Sequence, residues 1–159
     1  MADVTPYILP DHAHIPGQNA RPPDDAFAAI KAQALNPTTS ATAAQNRAFQ
    51  AGLDLLENGF YWEAHEVLEA VWMNAPANTP ERHLVQALIQ LANAALKHRM
   101  GRPKAVARLT AITRNLLSQA GPPGADLMGL DLDAISTAVD LTEETAPTDS
   151  LPSLRLRPE

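Results

Sequence analysis

The stretch Leu84-Val85-Gln86-Ala87-Leu88-Ile89-Gln90-Leu91-Ala92-Asn93-Ala94-Ala95-Leu96 decides the fold. Wound at about 100° per residue, it is apolar around most of its circumference, and Gln86, Gln90, Asn93 and the following Lys97 form only a narrow polar strip. Such a helix must be surrounded by other helices, which makes it the central element of a bundle. Its start is written in Thr79-Pro80-Glu81: a capping hydroxyl, a proline at the first helical position and an acid on the positive end of the dipole. Gly101 stops it, so the pattern predicts a helix from Thr79 to about Met100.

The neighbours follow by the same reading. Upstream, a helix is predicted over roughly Tyr61 to Met73, and before it one beginning at Thr42, where Thr42 and Gln45 have capping-box spacing, and ending at Asn58-Gly59. Phe49, Leu53 and Leu56 are the buried stripe of that earlier helix. Downstream, Pro103 opens a helix with Val106, Leu109, Ile112, Leu116 and Leu117 inward, closed by Gly121-Pro122-Pro123. Asp131 or Asp133 caps a shorter one reaching about Leu141. A first short helix is expected from an Asp24 cap to about Leu35, and 38–44 reads as a linker. No strand pattern competes, and only the Leu-Arg-Leu-Arg near the C-terminus suggests a short extended segment. The class is therefore all-α: a single-domain bundle of five to six helices over 24–141, with its core at about 42–120. An extended N-terminal arm over 1–23 and a proline-containing tail over 142–159 flank it.

Composition agrees with one small aliphatic domain. The chain has 159 residues, 45% hydrophobic, 19% charged and only 4% aromatic. Six of the 14 prolines lie between Pro6 and Pro37 and five between Pro122 and Pro158, so the arm and tail are set apart from the folded body. The absence of cysteine removes disulfides, thiol nucleophiles and cysteine-bound metals, and fits a reducing cytoplasm. No apolar run reaches the ~20 residues that span a bilayer and no signal peptide is visible, so no membrane partner is expected. The net charge of -6 argues against a nucleic-acid coat. That average hides a division. From Arg47 to Arg114 there are eight basic and six acidic residues, whereas Asp126 to Asp149 holds seven acids and no base.

The chemistry-bearing residues concentrate on the Tyr61-to-Met73 helix. On a helical wheel Tyr61, Ala64, His65, Leu68, Val71 and Trp72 share an apolar arc, with Trp62 and Met73 beside it. His65 lies inside that arc, and Glu69, four residues on, is expected to be largely buried and in need of a partner. Glu66 sits at the border. Glu63 points away in the first turn, where an acid offsets the dipole. The central helix supplies partners for a shared polar cluster: Gln86 and Gln90 on its strip, and His98 near its end.

These residues resemble a known family. Gly59-Phe-Tyr-Trp-Glu-Ala-His-Glu-Val-Leu-Glu-Ala-Val-Trp72, followed by Gln86-Ala-Leu-Ile-Gln90 and Lys97-His-Arg-Met-Gly101, is similar to the uncharacterised "domain of unknown function 309" family. The arm from Tyr7 to Pro16 looks like the leading segment of its bacterial members. The resemblance implies an all-α bundle of about five helices, related in architecture to a small helical domain found after the catalytic domain of some hyaluronidases. It implies no activity. The positions it marks are Glu63, His65, Glu66, Glu69, Gln86, Gln90, His98 and Gly101. Where members often carry an aromatic shortly before the final histidine, this chain has Ala95 and Leu96.

Three readings of the cluster follow. In the first, His65 and Glu69 form a pair that sets helix register, or the floor of a ligand or partner cleft with Glu63, Glu66, Trp72, Gln86, Gln90 and His98. In the second, His65, Glu69 and His98 hold a divalent metal and Glu66 is the general base of a hydrolase, although one histidine of the usual zinc-hydrolase motif is replaced by Glu69. In the third, Gly59, Tyr61, Ala64 and Pro76 stand as in a tetratricopeptide repeat, a peptide-binding unit, but no second copy appears. The acid-free run Lys97 to Arg114 offers Arg99, Arg102 and Lys104 as an anion site, against a plainer role in offsetting the helix dipole and pairing with Glu63 or Glu66. His12 and His14 read as ordinary arm residues. The reading is a cytoplasmic module without demonstrable catalysis and with no cofactor required. Its partner would be a protein or small molecule, including a second copy of itself, rather than nucleic acid.

Overall fold

The computed structural model describes residues 9–144 and 151–156. Helix α1 is Ala28–Lys31, α2 Arg47–Glu57, α3 Tyr61–Met73, α4 Pro80–Arg99, α5 Pro103–Ala120 and α6 Leu132–Glu144, with a 3-10 turn at Ser40–Gln45. The all-α class is observed. The only sheet among the described residues is a two-residue antiparallel hairpin, β1 (Asp126–Leu127) and β2 (Leu130–Asp131). The expected arm and tail fall partly outside the described residues, at 1–8, 145–150 and 157–159.

Helix α4 is the axis of the bundle, packing against α3 on one side and α5 on another. Leu84, Val85, Ala87, Leu88, Leu91, Ala92 and Ala94 have no exposed surface at all. Thr79 caps α4, its hydroxyl accepting from Arg82 N at 3.2 Å. Arg82 then turns back and closes the preceding helix: its Nη1 donates to the carbonyls of Trp72 (3.2 Å) and Ala75 (2.7 Å), and its guanidinium lies 4.0 Å from the Trp72 ring centre.

Several local expectations change. The second helix starts at Arg47, because Asn46 supplies the capping oxygen (3.2 Å to Phe49 N) while the Thr42 region forms the 3-10 turn. Helix α1 spans four residues and begins after Phe27, and Asp24 does not cap it, being held at 3.5 Å by Arg21. Ile112 is exposed while Thr110 and Thr113 are buried, each threonine hydroxyl satisfied by donating to a carbonyl of its own helix. Asp131 rather than Asp133 caps α6.

The Leu-Arg-Leu segment is extended, as its alternation suggests. Leu130 bridges Arg155, Asp131 N donates to Leu154 O at 3.0 Å, and Leu156 N donates to Gly129 O at 3.0 Å, so the tail lies on the hairpin as a partial third strand. Leu154 is fully buried there. The hairpin itself has positive φ at Met128 (56°) and Gly129 (77°), a backbone demand that no period-two pattern announces.

Candidate functional site

Helix α3 carries the site, and its buried face is rotated relative to expectation. Tyr61, Glu63, Ala64, Val67, Leu68 and Val71 are the buried set, so the inward stripe runs through Glu63 and Val67 rather than through His65 and Glu69. Glu69 is half-exposed instead of buried, and Glu63, expected on the solvent side, has no exposed surface. The reason is the arm. Residues 9–23 cross the start of α3 and cover a flank that a lone helix would give to water. Val67, one turn after Glu63, was the available sign that this flank is apolar.

The arm is held by a carboxylate. The backbone N–H of His14 donates to Glu63 Oε2 at 2.7 Å, a short charge-assisted contact. Asn19 shapes the arm behind it: its Oδ1 lies 3.0 Å from His14 Nδ1 and accepts from Ile15 N at 2.9 Å, and its Nδ2 donates to Ala13 O. Gly17, with φ of 81°, makes the intervening turn. Trp62 is the aromatic contact. The His14 ring meets it edge-on at 4.8 Å, Phe27 lies at 6.5 Å, His65 at 6.2 Å, and the Arg21 guanidinium sits 5.6 Å from its centre.

Between the arm, the start of α1 and Glu63 lies an open pocket of about 460 Å³, lined by residues that include Asp11, His12, His14, Arg21, Phe27 and Glu63. Glu63 Oε1 is buried and has no hydrogen-bond partner among the described residues. Leaving such an acceptor unserved costs about 1–3 kcal/mol. Burial pushes the Glu63 carboxyl above its ordinary value, against the opposing pull of the His14 N–H, of its own backbone N–H, and of the His14 and His12 rings.

His65 and Glu69 do pair, Nε2 to Oε1 at 3.0 Å, while His65 Nδ1 lies 3.0 Å from Trp62 O. Both ring nitrogens thus face acceptors. Glu66 pairs with Lys31 at 3.0 Å. Neither Glu63 nor Glu66 takes a partner from the basic run, which corrects the expected pairing. Arg99 lies 4.4 Å from the Tyr61 ring centre and donates to Gly59 O at 2.7 Å, whereas Arg102 and Lys104 are exposed.

Gln86, Gln90 and His98 are half-buried on α4, and no hydrogen bond joins them to His65, Glu66 or Glu69 among the described residues. Gln90 instead meets Asn93 at 3.5 Å. The expected shared cluster between α3 and α4 is therefore not formed. Trp72 serves as the platform for Arg82, its own Nε1 buried without a partner among the described residues. No group of three or more His, Cys, Asp or Glu side chains converges on a cation-sized space among the described residues. Tyr61 and Ala64 of the repeat-like spacing are core residues. No described helix is long and apolar enough to cross a membrane.

Sequence reasoning missed His14, Asn19 and Arg21 as parts of the site. They are short-range neighbours on an irregular arm, and nothing in their spacing says that α3 is what they touch.

No curated protein and no solved structure matches the chain. The family model described as Domain of unknown function (DUF309) matches residues 49–109, from the first turn of α2 into α5. That span of similarity holds Glu63, His65, Glu66, Glu69, Gln86, Gln90 and His98.

Proposed function

We propose that this protein is a non-catalytic binding module whose ligand site is the pocket between the N-terminal arm and the start of α3. One observation carries the reading. A fully buried carboxylate, Glu63, sits at the wall of an open pocket with one oxygen engaged by the arm and the other without a donor among the described residues. A core acid that served only to pin the arm would gain from having both oxygens paired. The pocket is within the size range of small-molecule sites and combines apolar walls with a few polar groups, the composition such sites have.

The test is a two-dimensional 1H–15N spectrum of the full chain titrated with small amines, alcohols, amides and carboxylates. Saturable shifts confined to the amides of His12, His14, Phe27 and Glu63 are expected for at least one class. They should vanish in Ala26→Trp, which fills the pocket from the exposed side of the α1 entry. If no class moves these amides, or if Ala26→Trp binds unchanged, the pocket is not a ligand site and Glu63 is an anchor for the arm alone.

A further inference from the structure

We propose that the Glu63 pocket receives a primary ammonium group carried on a short apolar stem, an inference that rests on the pocket being a binding site. Oε2 already accepts from His14 N, and Oε1 has no hydrogen-bond partner among the described residues. A ligand that completes the site must therefore donate, and a carboxylate is served best by a donor that is also a cation.

Charge points the same way. Asp11 is a second carboxylate at the pocket, and the one permanent cation among its described lining residues, Arg21, is drawn off toward Asp24 at 3.5 Å and the face of Trp62. His12 and His14 are the remaining titratable groups in the lining, and the Nδ1 of His14 is engaged by Asn19. An anionic ligand would meet Glu63 and Asp11 as like charges. A neutral alcohol would donate one bond and leave the carboxylate charge uncompensated. An ammonium brings three donors on one atom, enough for Oε1 and for a contact toward Asp11.

The walls specify the rest of the ligand. Pro22, Pro23, Ala26 and Phe27 offer carbon surface beside the carboxylate, which suits an alkyl or aryl stem and not a second charge. Because Glu63 has no exposed surface, contact with Oε1 requires a local displacement of the pocket wall, whose lining includes the exposed residues Asp11, His12 and Ala26.

The experiment titrates the full chain at pH 7.5 with n-butylammonium chloride, butan-1-ol and sodium butyrate, matched in stem and differing in head group, with sodium chloride as the ionic-strength control. Butylammonium is expected to shift the His14, Phe27 and Glu63 amides saturably. Butanol should bind on the order of tenfold more weakly, and butyrate and sodium chloride should leave those amides unmoved. Glu63→Gln should weaken butylammonium binding by about tenfold or more. The three-probe comparison on the unaltered protein stands even if that variant folds poorly. Butanol binding as well as butylammonium, or butyrate binding better, overturns the ammonium assignment while leaving a ligand pocket in place. So does a folded Glu63→Gln with undiminished affinity. If none of the three probes moves these amides, the assignment also falls and Oε1 is served by water. The wider reading falls with it only if the broader probe classes miss the pocket too.

Discussion

His14 and Glu63 are 49 positions apart in the chain and joined by a 2.7 Å hydrogen bond from backbone N–H to Oε2, the contact that fastens the arm to the bundle. It places a carboxylate where burial raises its pKa. Between the unfolded value, near 4.5, and its own raised value the folded chain therefore holds a Glu63 proton that the unfolded chain has lost, and above the raised value Glu63 is the carboxylate in both. Stability linked to this group is fully present below the unfolded value and declines as pH rises through the folded one. Glu63→Gln removes that titration. The melting temperature of Glu63→Gln minus that of the unaltered protein is expected to rise from pH 4.5 to pH 8, measured by thermal unfolding in matched buffers. A flat difference would show that the carboxyl is not desolvated.

The crossing of α2 over α3 depends on a missing side chain. A Cβ at Gly52 would stand 2.5 Å from Leu68 Cδ2 and 2.7 Å from its Cγ. Alanine gains about 1 kcal/mol of helix propensity over glycine, yet overpacking a tight core costs about 1–3 kcal/mol, so Gly52→Ala should be net destabilising. Urea unfolding of Gly52→Ala, Leu68→Ala and the double variant checks this. The double variant should be more stable than the sum of the two single losses, because Leu68→Ala removes the clash of the new Cβ and that Cβ fills part of the cavity Leu68→Ala leaves.

Arg82 ties the end of α3 to the start of α4 through two carbonyls and the Trp72 face. Lysine keeps the charge but has no planar fork to bridge two acceptors while stacking. Arg82→Lys is expected to cost about 1 kcal/mol and Arg82→Ala about 2 kcal/mol. Both should change Trp72 emission. Equal stability of the arginine and lysine forms would contradict the bridging role.

The C-terminal segment holds by packing more than by charge. Arg155 donates to Asp54 Oδ1 at 2.6 Å and to Gln50 O at 3.2 Å, but its side chain and that of Asp54 are about one-third and one-half exposed. Ion pairs this wet contribute about 0.2–1 kcal/mol. Leu154 is wholly buried, and truncating such a leucine costs about 2–5 kcal/mol. Leu154→Ala should therefore destabilise the protein more than Arg155→Ala in chemical denaturation, and the reverse order would assign the anchoring to the ion pair.

What was legible in the sequence was whatever a single helix records about itself. The Thr79-Pro80-Glu81 start, the Gly101 stop and the all-round apolarity of 84–96 predict α4 and its central position, and the boundaries of α3 and α5 follow from the same local signals. A periodic pattern has to survive in one segment to bury one face, so it can be read from that segment alone. Which flank of α3 lies inside is a different kind of fact. Glu63 and Glu69 are both acids on one helix, and their local sequence does not say that an irregular arm some fifty residues upstream covers the first and leaves the second in water. The arm has no period. Its docking is decided by Asn19 shaping the chain around His14, by the Trp62 face and by the one N–H that reaches Glu63, contacts that exist only once the bundle is assembled. The sequence determined the bundle and the helix that carries the polar residues. Tertiary structure alone decided that Glu63, and not the His65–Glu69 pair, is the buried charge, because desolvation depends on what comes to lie over a residue rather than on the residues beside it in the chain.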